Sequence, residues 1–417
     1  MVTRTRAVFT RGAALASAAL LVVACGGESL GSGAAPPVDD DSDSAPQVDD
    51  DSDPAPQVDD GPVKVGLLVA KSGTFAAVGR DMENGFTLYL EQNDNMLGGR
   101  EVELVTVDEG ETPQTGVAGV NRLVQQDAVD VLVGVVAGPT AIGGRDIFDS
   151  GQVPTLLANT GAVAFTDELA SEWIWRTSQD NREPGQALAQ KLAEDDSVGD
   201  VFLIAPDYSS GYEMLDGFKE HFPEDRVVGE VYTPFGTTSD FSGYLAQIRS
   251  SGADSIYSFF AGADAINFVT QYHQFGLADE VTHYSAGYVT DGPVLEAQGD
   301  TALGVFNSVR YNWDFENPEN QAFVSTYVEK FDGLPTGFAA SMYDTALILD
   351  RAISEVDGEV TRAAINEALG NIGTVSGVRG ELSFDETRTI VQGWHLTEVQ
   401  QTDDGLRNVT IEPLPNP

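Results

Sequence analysis

A short loop of small and polar residues, Ala137-Gly138-Pro139-Thr140, follows an apolar segment over 129–136 and precedes a helical pattern. A loop in this position could bind phosphate, present a catalytic nucleophile, bind another ligand or form a plain turn. The first two possibilities each require particular partner residues. The rest of the sequence therefore tests them.

The motifs that phosphate binding, dinucleotide binding or hydrolysis would need are missing from the sequence. GVVAGPTAIGG has no lysine for a phosphate-binding loop, no Gly-x-Gly-x-x-Gly follows the first strand, and HYSAG has His283 where a nucleophile elbow needs glycine. The histidines are scattered: His221, His273, His283 and His395. With one cysteine they form no zinc motif. We predict no catalysis, no cofactor and no metal site, and an extracellular enzyme is the less favoured alternative.

The first 24 residues have the pattern of a bacterial lipoprotein leader. Three arginines precede the apolar segment GAALASAALLVVA, which is too short to cross a bilayer as a mature helix. Val22-Val23-Ala24-Cys25 resembles a lipobox, and Cys25 is the single cysteine of the chain. We predict that residues 1–24 are a signal peptide and that a lipid on Cys25 anchors the protein at the extracytoplasmic face of the cell membrane.

Residues 25–61 are acidic and repetitive, with a Val-Asp-Asp segment beginning at Val38, Val48 and Val58. Proline, serine and mutually repelling aspartates predict an extended, disordered tether. The whole chain has a formal net charge of -44 at pH 7. This charge excludes nucleic acid as a partner and makes an anionic membrane surface a poor one, because both would repel the protein.

From Val63 onwards, apolar segments alternate with helical patterns. The apolar segments are continuous runs, which are typical of strands covered on both faces and hence of mostly parallel sheets. The predicted strands are VKVGLLVA, EVELVTVDE, VDVLVGVV, VPTLLAN, EWIWRTS, VGDVFLIAPD, RVVGEVYTP, ADSIYSFFAG, VTHYSAG, GELSFD and IVQGWHLTEVQ. The predicted helices are 81–93, 112–126, 141–150, 183–194, 211–222, 241–250, 263–275, 318–332 and 338–356. This alternation predicts an α/β protein with two doubly wound lobes.

Small, hydroxyl and aromatic residues follow many of the predicted strands. In open parallel sheets, ligands bind beyond the carboxyl ends of the strands, where helices begin. The loops at such ends are 70–79, 137–140, 158–162, 205–211, 259–265 and 285–288. They predict a ligand-binding cleft between the two lobes.

Several segments, in their order and spacing, identify a family. They are VKVGLLVAKSGTFAAVGRDMENGFTLYLEQND, VDVLVGVVAGPTAIGGRDIF, VPTLLANTGA, RTS, DYSSGYEMLDGFKEHF, TSDFSGYLAQIRSSGADSIYSFFAGADAINFVTQYHQFGL and MYDTALILDRAI. Over about Val63 to Val399 the chain resembles the leucine/isoleucine/valine-binding protein family. Members of this family are extracytoplasmic solute-binding lipoproteins of ABC transporters with the type I periplasmic-binding fold.

The resemblance implies two lobes joined by a three-segment hinge. The implied crossings are Thr177–Asp180, Val309–Asn312 and Gly377–Glu381. The implied lobes are 62–180 plus 310–378 and 181–309 plus 379–417. Family members close their lobes over a solute and present it to a membrane permease. The implied partners are therefore a small-molecule solute and ABC permease subunits, and we expect a monomer.

The resemblance also implies the position of the solute. In the family, the loops after the third and fourth strands bind the solute's carboxylate with hydroxyl and backbone N–H groups at a helix N-terminus. Here these loops have Gly138 where many relatives have serine. The expected ligand-binding residues are Ser72, Thr74, Val78, Gly138, Thr140, Asn159, Thr160, Tyr208, Phe260, Gly262, Gly287, Tyr288 and Tyr343.

Two departures from the family bear on the identity of the solute. Branched-chain amino-acid binders hold the α-ammonium with a carboxylate from the loop that corresponds to 285–288. This loop has no acid here, and the nearest, Asp291, lies beyond it. Val78 stands where those binders often have tyrosine. We therefore expect no partner for an amine, and amino acids and aromatic or aliphatic acids stay open as solutes.

A sensor that docks on a signalling receptor is the alternative to transport.

Overall fold

The computed structural model describes residues 61–73 and 75–417. The predicted leader, Cys25 and nearly all of the predicted tether lie outside these residues, as does Thr74. In the described part, strands and helices alternate along the chain and form two large sheets. The prediction of an α/β protein with two doubly wound lobes is confirmed.

The bounds of the elements follow the apolar segments of the sequence closely. The strands are β1 (Val63–Val69), β2 (Met96–Leu97), β3 (Arg100–Asp108), β4 (Val131–Gly134), β5 (Thr155–Leu157), β6 (Ile174–Arg176), β7 (Val201–Pro206), β8 (Val227–Thr233), β9 (Ser255–Ser258), β10 (Thr282–Ala286), β11 (Phe306–Val309), β12 (Val375–Gly377), β13 (Gly380–Phe384), β14 (Ile390–Val391), β15 (Trp394–Thr402) and β16 (Gly405–Leu414). The α-helices are α1 (Ala76–Gln92), α2 (Pro113–Asn121), α3 (Gly138–Gly151), α4 (Glu183–Ala193), α5 (Ser209–His221), α6 (Ser242–Ser251), α7 (Gly262–Gln274), α8 (Pro293–Gln298), α9 (Pro318–Phe331), α10 (Gly337–Ser354) and α11 (Arg362–Asn371).

The first sheet has the strand order β2-β3-β1-β4-β5-β6. Apart from the short β2, all its neighbouring strands run parallel. Leu67 of β1 and Val133 of β4 are fully buried, as expected for strands with helices on both faces. Helices α1 and α10 pack closely on this sheet because Gly85 has no side chain: a Cβ there would lie 2.0 Å from the carbonyl oxygen of Ala339.

The second sheet has the strand order β16-β15-β11-β10-β9-β7-β8. Strands β7 to β11 run parallel, whereas β15 and β16 form an antiparallel hairpin at one edge. Strand β16 is absent from the sequence prediction, because most of its residues are only partly buried and it lacks a continuous apolar run. None of the helices in residues 61–73 and 75–417 combines the length and the apolar character that crossing a membrane requires.

The third crossing between the lobes does not fall where the sequence places it. Strand β13, which a boundary at residue 379 would give to the second lobe, pairs with β12 and β14 in a small antiparallel sheet. Leu382 and Ile390 of this sheet are buried in the core around β1, α1 and α10, and Thr389 pairs with Arg176 of β6. We therefore propose that residues 379–391 belong to the first lobe and that the chain crosses at Gln392–Gly393, directly before β15.

Candidate functional site

A cavity of about 320 Å³ lies where the carboxyl ends of strands from the two sheets face each other. We call it the cleft. Its walls are the loops that follow β3, β4 and β5 on one side and those that follow β7, β8, β9 and β10 on the other. Volumes in this range are typical of small-molecule sites, and the ends of parallel strands are where such sites occur.

The cleft brings together many of the residues that the sequence singles out. Those that line it are Val78, Gly138, Thr140, Asn159, Thr160, Tyr208, Gly262 and Tyr288. They come from both lobes, so the two halves of the expected site meet in one cavity.

Two aromatic residues of the expected set belong instead to the packed interior of the lobes. Phe260 is fully buried and packs edge-on against Phe241, whereas its neighbour Phe259 lines the cleft. Successive residues of an extended chain point to opposite sides, so only one of the pair can face the solute. Tyr343 packs against Tyr89, and its hydroxyl donates to Gln92 Oε1 at 2.7 Å. These placements correct the assignment of Phe260 and Tyr343 to the site.

Two further expected residues also lie outside the cleft wall. Ser72 is exposed, and its hydroxyl donates to Asp108 Oδ2 at 3.1 Å. Gly287 lines a separate small cavity near the hinge, where an added Cβ would lie 2.7 Å from a side-chain carbon of Val309. Neither residue is part of the cleft lining. Thr74 is outside the described residues.

Five rings form a continuous aromatic wall along the cleft. Phe235 stacks on Tyr208 with centroids 4.2 Å apart, and Tyr208 stacks in turn on Phe259. Tyr288 then contacts Phe259 edge-on at 5.9 Å and Phe338 at 5.7 Å. Because Phe338 lies on α10 of the first lobe, the wall passes from one lobe to the other. The sequence analysis did not single out Phe235, although it directly follows the predicted strand RVVGEVYTP, or Phe338, which lies at the start of α10 and follows no strand.

An internal carboxylate occupies part of the expected anion-binding loop. Glu109 is almost fully buried and accepts the N–H of Val136 at 2.7 Å and that of Ala137 at 3.0 Å. The Thr140 hydroxyl also bonds to this carboxylate, and burial raises the pKa of Glu109 although these hydrogen bonds oppose the shift. One N–H group of the expected loop, that of Ala137, is therefore already bonded, as is the N–H of Val136 directly before the loop. Glu109 is the last residue of the predicted strand EVELVTVDE and directly follows β3, whose carboxyl end lies at the same sheet edge, and this position could have indicated its role.

Other polar groups of the same wall are still available to a solute. Gly138 begins α3, and the first N–H groups of a helix have no partner within it. A Cβ at Gly138 would lie 3.3 Å from Thr160 Oγ1, so these two groups are neighbours. Asn159 donates to the Val136 carbonyl at 2.7 Å, while its buried Oδ1 has no hydrogen-bond partner among the described residues.

The charged groups that line the cleft are all acidic. They are Asp81, Glu109, Glu111 and Asp291, and no lysine, arginine or histidine is part of the lining described for this cavity. Asp291 Oδ2 accepts the N–H of Gly337 at 3.1 Å, and burial raises its pKa to about 6. Asp81 Oδ2 accepts from the Thr336 hydroxyl at 3.2 Å.

The sequence analysis placed Asp291 beyond the site, whereas the structure places this acid in the cleft wall. After β10 the chain makes a 3₁₀ turn at Gly287–Val289. This path returns Asp291 to the cleft wall. The cleft thus carries negative charge that favours a positively charged group on the solute.

Two α/β lobes around an internal cavity at their strand ends define a binding protein of the periplasmic type. The chain belongs to the periplasmic binding protein family, whose model matches residues 62–405. It is 30% identical over 352 residues to Leu/Ile/Val-binding protein homolog 6 of Brucella melitensis, an alignment that covers 82% of this chain and 89% of that relative.

Solved structures extend the similarity to the fold of nearly the whole described chain. An ABC transporter substrate-binding protein from Sphaerobacter thermophilus is 31% identical, with a TM-score of 0.80 over 85% of this chain and 98% of its own. A solute-binding protein of an ABC transporter from R. palustris, in complex with benzoate, is 29% identical, with a TM-score of 0.77 over 86% and 98%. A leucine-binding protein from Thermotoga maritima, 22% identical with a TM-score of 0.74 over 84% and 99%, shares the fold.

Proposed function

We propose that the protein is the extracytoplasmic solute-binding component of an ABC importer of the branched-chain amino-acid type. The observation that carries this proposal is the cleft, which combines donors at a helix N-terminus, an aromatic wall and carboxylates from both lobes. Binding proteins of this class are presented to a permease when their lobes close. The relatives from S. thermophilus and R. palustris, which are named as components of ABC transporters, support the same role.

The charges of the cleft favour a zwitterion with an apolar or aromatic side chain as the solute. A bare carboxylate would enter a cavity lined by four acidic residues, and like charges at short range in a protein interior repel by up to about 4 kcal/mol. An ammonium group beside Asp291 and Asp81 offsets this repulsion. The solute's carboxylate would then contact Gly138 and Thr160, and its side chain would contact the aromatic wall.

An aromatic acid without an amine is the second candidate, and a specific observation favours it. The benzoate complex of the R. palustris protein shows that a relative at 29% identity binds such an acid, and a flat ring would fit against Tyr208 and Phe259. This solute requires Glu109 to be protonated so that it donates to, rather than repels, the incoming carboxylate. Burial shifts the pKa of Glu109 in that direction.

Matched pairs of solutes that differ only in the amine separate the two candidates. We expect phenylalanine and leucine to raise the melting temperature of the purified protein, because a ligand that binds only the folded state adds about 2.7 kcal/mol at one hundred times its Kd. Their amine-free counterparts, 3-phenylpropionate and 4-methylpentanoate, should have little effect. Equal or larger shifts with benzoate or 3-phenylpropionate would instead establish an acid binder. No shift with either set would refute both solute classes.

We further propose that Cys25 carries the lipid that holds the protein on the membrane. The support is the lipobox pattern at Val22-Val23-Ala24-Cys25 and the acidic tether that follows it. Cys25→Ala should move the protein from the membrane fraction to the soluble fraction, since no other cysteine can be acylated. Fractionation and metabolic labelling with a fatty acid measure this, with Ser29→Ala as the control that keeps the anchor. Lipid labelling of the Cys25→Ala protein would contradict the assignment.

A further inference from the structure

A second, much smaller cavity of about 40 Å³ lies inside the hinge. Gln179 from the first crossing lines it, together with Arg310 and Tyr311 from the second and Ser308 from β11. Its volume is sufficient for about three or four water-sized groups, at roughly 10–15 Å³ each. Tyr288 and Asp291 line both this cavity and the cleft.

Arg310 is a buried cation without a directly paired anion. Arg310 is only 5% exposed. Its Nη1 donates to Gln179 Oε1 and to the Tyr288 hydroxyl. These two partners are neutral. Among the described residues, no carboxylate oxygen lies within ion-pair distance of this guanidinium, whereas the buried Arg176 and Arg379 pair with Asp180 and Asp344. Asp291 and Glu183 are near enough for the charge of Arg310 to lower the pKa of both acids, but neither bonds to the guanidinium directly.

The same cavity collects polar atoms that lack hydrogen-bond partners in the described chain. They are Arg310 Nε, Gln179 Nε2, Ser308 Oγ and Tyr311 Oη. All four residues are at least nine-tenths buried. The Arg310 and Gln179 atoms can only donate, and the two hydroxyls can donate as well. Unpaired buried donors of this kind require a partner, either ordered water or an acceptor ion.

We propose that the hinge cavity binds a small inorganic anion of the size of chloride. An anion can accept from several of these donors and would give Arg310 the directly bonded negative partner that it lacks, whereas a water molecule has two acceptor positions and no charge. The carboxylate of Asp291 lines the same cavity and repels an anion. The anion therefore binds only if its hydrogen bonds to the donors and its attraction to Arg310 exceed this repulsion. Because Gln179 and Arg310 belong to different crossings, the bound anion joins two segments of the hinge.

The proposal can be tested with chloride, and with bromide as the halide that crystallography locates. At constant ionic strength, replacing gluconate by chloride should raise the melting temperature in a saturable manner. Crystals grown with bromide should show an anomalous peak in the cavity. Tyr311→Phe removes one donor with little change of shape, and we expect it to weaken chloride binding about tenfold. Asp291→Asn, which removes the opposing charge, should strengthen chloride binding severalfold.

The variants also distinguish an anion from water. If the cavity contains ordered water only, Tyr311→Phe will be neutral or stabilising to the same extent in both salts, Asp291→Asn will not alter the response to chloride, and no anomalous peak will appear. Any of these three results overturns the proposal. None of these measurements requires the solute of the larger cleft, so they do not depend on the proposed transport function.

Discussion

Arg379→Leu is expected to lower the free energy of unfolding by about 3–5 kcal/mol, the range found when one partner of a buried ion pair is removed. Arg379 Nε lies 2.7 Å from Asp344 Oδ2, and neither side chain is exposed. Leucine would leave the Asp344 carboxylate in an apolar interior without its counter-charge. The same carboxylate accepts the backbone N–H of Val378 at 2.8 Å, so the turn between β12 and β13 depends on it.

The loss of stability in the Arg379→Leu protein should extend to the hinge. Arg379 Nη1 donates to Gln392 Oε1 at 2.6 Å, and Gln392 Nε2 donates to the Ser178 carbonyl at 2.6 Å. Arg379 therefore positions the residue that connects the first and third crossings. Its removal takes away both the counter-charge of Asp344 and the support of this connection.

Urea unfolding of the purified protein measures the effect, and the chain offers a matched control. Arg351→Leu breaks an ion pair of similar geometry, with Arg351 Nη2 and Glu355 Oε1 2.8 Å apart, but both side chains are more than half exposed. Exposed pairs of this kind contribute about 0.5 kcal/mol or less. Similar losses in the two variants would show that burial does not determine the contribution of the Arg379–Asp344 pair.

The sequence was sufficient to predict most strands of the two large sheets because many of their parallel strands are buried on both faces. Such strands are continuous apolar runs, as in β1 and β4, and they can be recognised without knowledge of their neighbours. The sequence analysis missed the four-residue parallel strand β11, whose two ends are only partly buried. The small sheet of β12, β13 and β14 has short strands with exposed positions. Its place in the first lobe depends on the contact of Arg379 with Asp344, 35 residues earlier, and a contact between distant residues has no periodic pattern in the sequence.

The position of the cleft was predictable, but its chemistry was only partly so. Ligands bind at the carboxyl ends of parallel strands, and this rule identified the loops that contain Thr140, Thr160 and Tyr208. Which side chain of a loop faces the cavity depends on the path of the backbone, and that path separates Phe259 from Phe260. The same limitation concealed Asp291, because its place in the cleft wall depends on the path of the chain after β10, through the 3₁₀ turn at Gly287–Val289.

Asp291→Asn is expected to weaken the binding of an amine-bearing solute by about 2–5 kcal/mol, the usual loss when one partner of a desolvated charge pair is removed. Asparagine keeps an oxygen for the Gly337 N–H, so the fold and the contact between the lobes should persist. Only the negative charge is lost. Binding of the amine-free counterpart should be unchanged or slightly stronger, because that solute has no ammonium group and gains from reduced repulsion.

The pH dependence of binding provides an independent test of the same charge. Burial raises the pKa of Asp291 to about 6 in the free protein, and a bound ammonium would favour the ionised form and lower that value. Affinity for the zwitterion should therefore be constant above pH 6 and fall as the pH decreases through 6, by up to about tenfold per pH unit. The Asp291→Asn protein should lack this decline in calorimetric titrations.

A matched control separates a direct ion pair from the general negative charge of the cleft. Glu111 also lines the cleft, but it is exposed, so water screens its charge and Glu111→Gln should reduce affinity by no more than about 1 kcal/mol. Equal losses in both variants would mean that the solute responds to overall charge and that Asp291 does not contact the ammonium. If neither variant changes affinity while benzoate binds tightly, the amine has no role. Protonated Glu109 would then be the group that admits a carboxylate, and affinity should rise, not fall, as the pH decreases.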